Sequence, residues 1–162
     1  MKIALCGFMG CGKTTVAKTL SEKYDLPHID IDKFIEEKHN ITISEMFGKF
    51  GEEYFRDKEY DAICELARNG NSILALGGGA VMFEKNVKAL KENGYKIVFI
   101  DTDLDVIKER LKNDTSRPLI KSSDITELYN KRIDTYNAVC DVKITTKYET
   151  AEIIADMITK KA

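Results

Sequence analysis

The chain has 162 residues, a formal net charge of −2 and a mean hydropathy of −0.30. This length suits one domain with a substantial core, and the charge argues against nucleic acid as a partner. No apolar run approaches the roughly 20 residues of a membrane-spanning helix, and the first predicted strand leaves no room for a signal peptide. The four cysteines form no C-x-x-C pair and have no zinc-site spacing, so we expect reduced thiols in a cytoplasmic protein. We also expect a monomer with no membrane partner.

Apolar periodicity and turn signals predict strands and helices that alternate along the chain. Strands are predicted over residues 2–6, 28–32, 72–76, 95–100 and 142–145. Helices are predicted over 13–24, 42–47, 52–68 and 80–92, and then around 104–111, 128–136 and 151–158. Gly48 and Gly51 should interrupt the second and third of these helices, and the polar stretch 113–124 should be a loop. The alternation favours an α/β fold with a parallel sheet.

A glycine-rich turn follows the first strand at once. Residues 7–14 read Gly-Phe-Met-Gly-Cys-Gly-Lys-Thr and match the phosphate-binding pattern G-x-x-x-x-G-K-[ST]. Its backbone N–H groups and the following helix N-terminus suit phosphate. Lys13 would reach the β- and γ-phosphates, and the Thr14 hydroxyl would bind Mg²⁺. Cys11 lies beside Lys13 inside this turn, and we consider both a reactive thiol and a small filler residue.

Two carboxylates follow the second strand. Asp30 and Asp32 alternate along a segment predicted to be extended, so their side chains should point in opposite directions. One would face the metal and phosphates while the other faces an acceptor substrate. The alternative is that Asp32 caps a helix over residues 33–38.

The third strand is followed by Gly77, Gly78 and Gly79, where the backbone is free to approach a ligand closely. A flexible turn is the alternative. Because ligands of parallel α/β sheets bind beyond the carboxyl ends of the strands, these glycines, the aspartates and the phosphate loop should share one cleft.

Only five of the 25 basic residues are arginines, so the arginines are candidates for sites that need a flat, bidentate donor. Arg117 lies in the polar loop and could bring positive charge to the γ-phosphate. Arg56 has Glu59 three residues on, which could orient it, and Arg132 lies on a later helix. The alternative for each is a solvated surface ion pair, which is the interpretation we favour for Arg68.

These motifs together resemble the shikimate kinase family. They are residues 7–14, Asp-Ile-Asp at 30–32, Phe-Arg at 55–56, the glycines at 77–79, Arg-Pro-Leu at 117–119, and Arg132 with Tyr136. The resemblance covers nearly the whole chain. It implies a three-layer α/β/α P-loop NTPase fold, similar to nucleoside monophosphate kinases, with a five-stranded parallel sheet in the order 2-3-1-4-5. It also implies ATP-dependent phosphorylation of the 3-hydroxyl of shikimate, in aromatic amino-acid biosynthesis.

The resemblance implies roles for individual residues as well. Lys13, Asp32 and Arg117 would be catalytic, and Thr14 and Asp30 would serve Mg²⁺. The implied ATP-binding residues are Gly10, Cys11, Gly12, Lys13, Thr14, Thr15, Arg110 and Arg117. The implied shikimate-binding residues are Asp32, Arg56, Gly78, Gly79 and Arg132, with Phe47 and Phe55 as pocket walls. A substrate-binding segment would cover residues 32–60 and a lid residues 112–124 of a single domain, 1–162.

Other functions remain open at this point. Another small-molecule kinase of the same fold, such as a gluconate kinase, would share the phosphate loop and a carboxylate-bearing acceptor. A GTP-dependent switch is excluded because the chain has neither an N-K-x-D nor a D-x-x-G motif. A catalytically silent nucleotide-binding module would not need the full set of charged residues.

Overall fold

A computed structural model describes residues 1–114 and 122–162. The strands are β1 Lys2–Cys6, β2 His28–Asp30, β3 Ser72–Ala75, β4 Lys96–Thr102 and β5 Val142–Thr146. The α-helices are α1 Lys13–Tyr24, α2 Ile31–His39, α3 Ile43–Ala67, α4 Glu84–Glu92, α5 Leu104–Lys112, α6 Ser122–Val139 and α7 Ala151–Lys161. A 3₁₀ helix, Ala80–Met82, precedes α4.

The strands form one parallel sheet in the order β2-β3-β1-β4-β5, which confirms the predicted topology. The central strand β1 pairs with β3 on one side and with β4 on the other. Helices cover both faces, with α1 packed against α7 and α3 packed against α4. Because both faces are covered, β3 is buried along its whole length and β1 is buried from its second residue.

The second strand is shorter than predicted, which changes the geometry of the two aspartates. The strand ends at Asp30, whose side chain accepts a hydrogen bond from the Lys33 N–H (3.2 Å) and caps α2. Asp32 therefore lies in the first helical turn of α2. The prediction that Asp30 and Asp32 alternate along an extended strand is wrong, and so is the alternative in which Asp32 provides the cap.

The helix that follows α2 begins where the sequence predicts and breaks at only one of its two glycines. The Thr42 side chain caps α3 by accepting from the Glu45 N–H (3.1 Å). Gly48 stays helical, so its predicted interruption is wrong. Gly51 adopts φ +84°, a conformation that suits glycine, and kinks the helix there.

Two later boundaries also differ from the predictions. The helix predicted over residues 80–92 is divided, because Phe83 adopts extended angles (φ −105°, ψ 115°) between the 3₁₀ helix and α4. The end of the loop predicted over 113–124 is helical, since α6 begins at Ser122, and residues 115–121 of that prediction lie outside the described residues.

Lys2 links the start of the central strand to the ends of two helices. Its ammonium donates to the carbonyls of Ala67 (3.1 Å) and Asn93 (3.0 Å), at the C-terminal ends of α3 and α4. We expect Lys2→Met to lower the free energy of unfolding by about 1–2 kcal/mol, because both carbonyls lose a charged donor at the negative end of a helix dipole. Urea unfolding would measure the change.

Lys88→Met provides the matched control for this prediction. Lys88 is 70% exposed, and its Nζ lies 3.8 Å from a Glu92 oxygen. The loss of such a surface pair should change the free energy of unfolding by less than about 0.5 kcal/mol. Equal destabilisation by the two substitutions would contradict a special role for Lys2.

Candidate active site

The turn between β1 and α1 has the backbone conformation that a phosphate loop needs. Gly10 (φ +77°) and Gly12 (φ +91°) lie in the left-handed region, where a side chain would be strained. Gly12 is also the N-cap of α1, so the unpaired N–H groups of the helix begin there. The Lys13 ammonium donates to the carbonyls of Gly7 (2.8 Å) and Phe8 (3.1 Å). An incoming phosphate would therefore replace these two carbonyls as the hydrogen-bond partner of Lys13.

Thr14 and Asp30 are brought together at the start of α1 and the end of β2. The Thr14 hydroxyl donates to Asp30 Oδ2 at 2.6 Å. Hydroxyl and carboxylate oxygens are the donors that Mg²⁺ prefers, and Mg²⁺ usually keeps waters and phosphate oxygens in its shell. Residues 1–114 and 122–162 contain no cluster of three or more metal-ligating side chains. The pair therefore fits a cation that is held mainly by nucleotide and water.

Other predicted ATP-binding residues lie around the same loop. Arg110, near the end of α5, donates from Nη1 to the Gly10 carbonyl at 3.0 Å. Thr15 lines the cleft beside Thr14. The burial of the Cys11 side chain favours the filler interpretation, whereas the Lys13 ammonium 3.6 Å from its Sγ is the feature expected beside a reactive thiol. Arg117 lies outside the described residues.

A cavity of about 890 Å³ opens from the phosphate loop toward α2 and α3. The five predicted acceptor-binding residues all line it, as do the two predicted aromatic walls, whose ring centroids lie 5.0 Å apart. The acceptor-binding residues are Asp32, Arg56, Gly78, Gly79 and Arg132, and the aromatic walls are Phe47 and Phe55. One cleft thus joins the phosphate loop to an acceptor-sized space, as the sheet rule predicts.

Arg56 is held rigidly at one wall of this cleft. Its Nη1 donates to Glu59 Oε1 at 2.9 Å, and its guanidinium also lies 3.4 Å from a Glu52 oxygen. The guanidinium carbon is 5.1 Å from the Phe55 ring centroid and 4.9 Å from that of Phe83. Only 13% of the side chain is exposed. The alternative of a solvated surface pair therefore does not apply, and Glu59 orients Arg56 as the spacing predicts.

Two buried carboxylates meet beside Gly77. A Cβ on Gly77 would lie 2.8 Å from Asp32 Oδ1 and 3.1 Å from Glu59 Oε2. Both oxygens are buried and have no hydrogen-bond partner in the described part of the chain. Since buried acceptors in proteins are normally satisfied, this pair of unpaired oxygens marks Asp32 and Glu59 as an unusual feature of the site.

Burial also changes the acidity of these two groups. The pKa of Asp32 is raised, first by burial and then by the negative charge of Asp30, while Lys13 and Arg56 oppose the shift. The pKa of Glu59 is likewise raised by burial, and its ion pair with Arg56 opposes that effect. A carboxylate with a raised pKa is a better proton acceptor when it ionises, which suits Asp32 for contact with a reacting hydroxyl.

The sequence did not reveal two features of this site. The sequence predicts Glu59 only as a partner for Arg56 and does not predict that its second oxygen faces Asp32. For Tyr136 the sequence gives only the Arg-x-x-x-Tyr pattern, whereas in the structure its hydroxyl donates to the Gly78 carbonyl at 2.5 Å. The only sequence signal for this contact is the four-residue spacing from Arg132, which places both side chains on one helix face.

Known proteins resemble this chain both in sequence and in fold. The shikimate kinase family model matches residues 9–162. The curated shikimate kinase of Caldicellulosiruptor bescii is 39% identical over 160 residues, covering 96% of this chain and 92% of the relative. The structure of shikimate kinase from Acinetobacter baumannii in complex with shikimate has a TM-score of 0.90 and 33% identity, covering 98% of this chain and 90% of that one.

A more distant likeness bears on the alternative kinase. A gluconokinase structure from Sinorhizobium meliloti has a TM-score of 0.58 and 16% identity, covering 96% of this chain and 87% of that one. At that identity the likeness shows the shared fold alone.

No helix in residues 1–114 and 122–162 is long and apolar enough to cross a membrane. From the family match and the curated relative, the chain belongs to the shikimate kinase family.

Proposed function

We propose that this protein transfers the γ-phosphoryl group of ATP to the 3-hydroxyl of shikimate, giving shikimate 3-phosphate and ADP. The observation that carries the proposal is the cleft in which the phosphate loop opens onto Asp32, Arg56 and Arg132. This reaction belongs to the pathway that leads to chorismate and the aromatic amino acids. The family membership and the likeness to a kinase with bound shikimate support this substrate.

On the nucleotide side, phosphoryl transfer requires positioning and charge compensation more than covalent chemistry. The backbone of residues 10–15 would hold the phosphates, and Lys13 would release its two carbonyl contacts to neutralise charge that develops at the γ-phosphate. Arg110, already bound to the Gly10 carbonyl, would cover the nucleotide.

On the acceptor side, Arg56 and Arg132 would hold the carboxylate of shikimate through planar, bidentate contacts. The rigid packing of Arg56 against two aromatic rings supports its role as a preorganised donor. Gly78 and Gly79 would contact the ring substituents through their backbone. Asp32, which lines the cleft, would accept a hydrogen bond from the ring hydroxyls and would orient or deprotonate the reacting one.

Mg²⁺ would be held by Thr14 and Asp30 together with phosphate oxygens and water, and it would supply positive charge to the phosphates. Residues 1–162 would act as one monomeric kinase domain with a substrate-binding segment at 32–60. The assignment of residues 112–124 as a lid, with Arg117 as its cation, rests on the Arg-Pro-Leu motif. We place the reaction in the cytoplasm, where the four free cysteines would stay reduced.

The direct test is to follow ADP release from Mg-ATP with shikimate, gluconate, AMP or no acceptor. We expect turnover that depends on shikimate, and the product should carry phosphate on the 3-hydroxyl by ³¹P and ¹H NMR. Turnover with gluconate but not with shikimate would contradict the proposed acceptor and keep the phosphate site. ADP release that does not depend on any acceptor would contradict the kinase assignment.

A further inference from the structure

Tyr136 lies beneath the glycine loop that borders the cleft. Its side chain is fully buried, and its ring stacks on Phe99 of β4 with centroids 5.0 Å apart. Its hydroxyl donates to the Gly78 carbonyl at 2.5 Å. Burial raises the pKa of Tyr136 above its usual value, so the hydroxyl keeps its proton and remains a donor.

The rest of the glycine loop is held by its own backbone. The Gly77 and Gly79 carbonyls accept from the N–H groups of Ala80 (3.1 Å) and Met82 (3.1 Å). The Gly78 carbonyl, between them, points instead to a side chain of α6. Tyr136 thus holds the central peptide of the loop from a different element of the fold.

This contact determines which way the peptide between Gly78 and Gly79 faces. In a trans peptide the carbonyl and the next N–H point in opposite directions. With the Gly78 carbonyl directed toward Tyr136 in the core, the Gly79 N–H is directed away from the core. Both glycines line the cleft. A peptide between two glycines has little steric resistance to rotating by half a turn, so the hydroxyl is what selects one orientation.

The two cleft arginines lie on either side of the same peptide. A Cβ on Gly78 would lie 3.0 Å from Arg132 Nη1, and a Cβ on Gly79 would lie 2.6 Å from Arg56 Nη2. Arg132 and Tyr136 are one helical turn apart on α6. The orientation of this peptide therefore bears on both groups that are proposed to hold the acceptor carboxylate.

We propose that Tyr136 is a positioning residue for acceptor binding, whose hydroxyl locks the Gly78–Gly79 peptide with its N–H toward the acceptor carboxylate. The inference rests on the proposed function, since it deepens how the same site holds shikimate. The Tyr136 hydroxyl donates to a glycine that is proposed to bind the acceptor, so its removal should affect the acceptor more than ATP.

Tyr136→Phe tests this directly, because phenylalanine keeps the volume and the stacking on Phe99 and removes the hydroxyl, which also faces Arg132. We expect the shikimate KM, and the shikimate Kd measured by calorimetry without nucleotide, to rise about tenfold. The kcat and the ATP KM should stay within about twofold of the wild type. An amide-exchange measurement by NMR should show that the Gly79 N–H loses protection in the shikimate-bound variant.

Tyr129→Phe is the matched control on the same helix. The Tyr129 hydroxyl donates to Asp101 Oδ1 at 3.3 Å, away from the glycine loop, so the shikimate KM and Kd should not change. An unchanged shikimate Kd in Tyr136→Phe would overturn the inference. A parallel loss of kcat, ATP affinity and thermal stability would also overturn it, since the hydroxyl would then support the fold in general. A wild-type protein that does not bind shikimate would contradict the proposed function itself.

Discussion

Replacing Lys13 with methionine is expected to lower kcat about a thousandfold, because the proposed role of Lys13 is to neutralise the charge that develops on the transferred phosphoryl group. The ATP KM should rise much less, since the backbone N–H groups of the phosphate loop remain. In the structure Lys13, which lines the cleft, donates to the carbonyls of Gly7 and Phe8. Steady-state kinetics with Mg-ATP and shikimate would measure these effects.

Lys18→Met removes the same charge from the same helix and provides the control. Lys18 is 66% exposed, and its Nζ lies 3.8 Å from a Glu22 oxygen. Its replacement should leave kcat and both KM values unchanged. A Lys13→Met enzyme with nearly wild-type kcat would show that Lys13 does not neutralise charge in the transition state.

The second large effect is expected for Asp32→Asn, which should lower kcat by roughly a hundredfold to a thousandfold. The amide keeps the shape of the side chain and one acceptor oxygen, so the shikimate KM should change less than kcat. It lacks the negative charge and cannot take a proton from the reacting hydroxyl. Single-turnover phosphorylation of shikimate, with binding measured separately, would distinguish these two effects.

The same substitution should stabilise the fold at neutral pH. The pKa of Asp32 is raised in the folded protein, first by burial and then by Asp30, so folding disfavours its ionised form. Over the interval between its unfolded and folded pKa, the native state binds more protons than the unfolded state, and stability falls as pH rises. Above that interval the folded protein bears the whole free-energy cost of burying ionised Asp32. Asparagine removes this cost, and we expect the free energy of unfolding to rise by about 1 kcal/mol at pH 7.

The pH dependence makes this stabilisation distinguishable from improved packing. As pH falls below the unfolded pKa of aspartate, Asp32 is protonated in both states, and the advantage of Asp32→Asn should disappear. Urea unfolding at several pH values would measure it. Glu37→Gln, an exposed position on the same helix, should show no such trend. An advantage that is constant with pH would contradict the electrostatic origin.

Local signals along the chain were sufficient for most of the architecture. The glycine and lysine spacing predicted the β1–α1 turn, and the observed bounds of β1 and α1 agree with it. Alternating apolar strands and amphipathic helices predicted the parallel sheet, while the order of its strands came from the family resemblance. These predictions succeeded because backbone conformation in such segments depends on residues that are close in sequence.

The ends of helices and strands were predicted less well than the elements themselves, because a single side chain or glycine can end an element before its apolar pattern ends. At Asp30 the carboxylate caps α2 and ends the strand two residues early, although the apolar alternation continues to residue 32. Gly48 stays helical while Gly51 does not. Glycine is compatible with both conformations, so neighbouring residues and tertiary packing decide between them.

The sequence by itself determined that this protein has a phosphate loop and a parallel α/β sheet, and that its few arginines are candidates for anion binding. Only the tertiary structure decided that Asp32 and Glu59 turn unpaired oxygens toward the same space beside Gly77, and that Tyr136 holds the peptide of Gly78. The physical reason is distance along the chain. Loop and helix-start patterns arise between neighbouring residues, whereas these contacts join α2, α3 and α6 to the end of β3 through packing around a shared core.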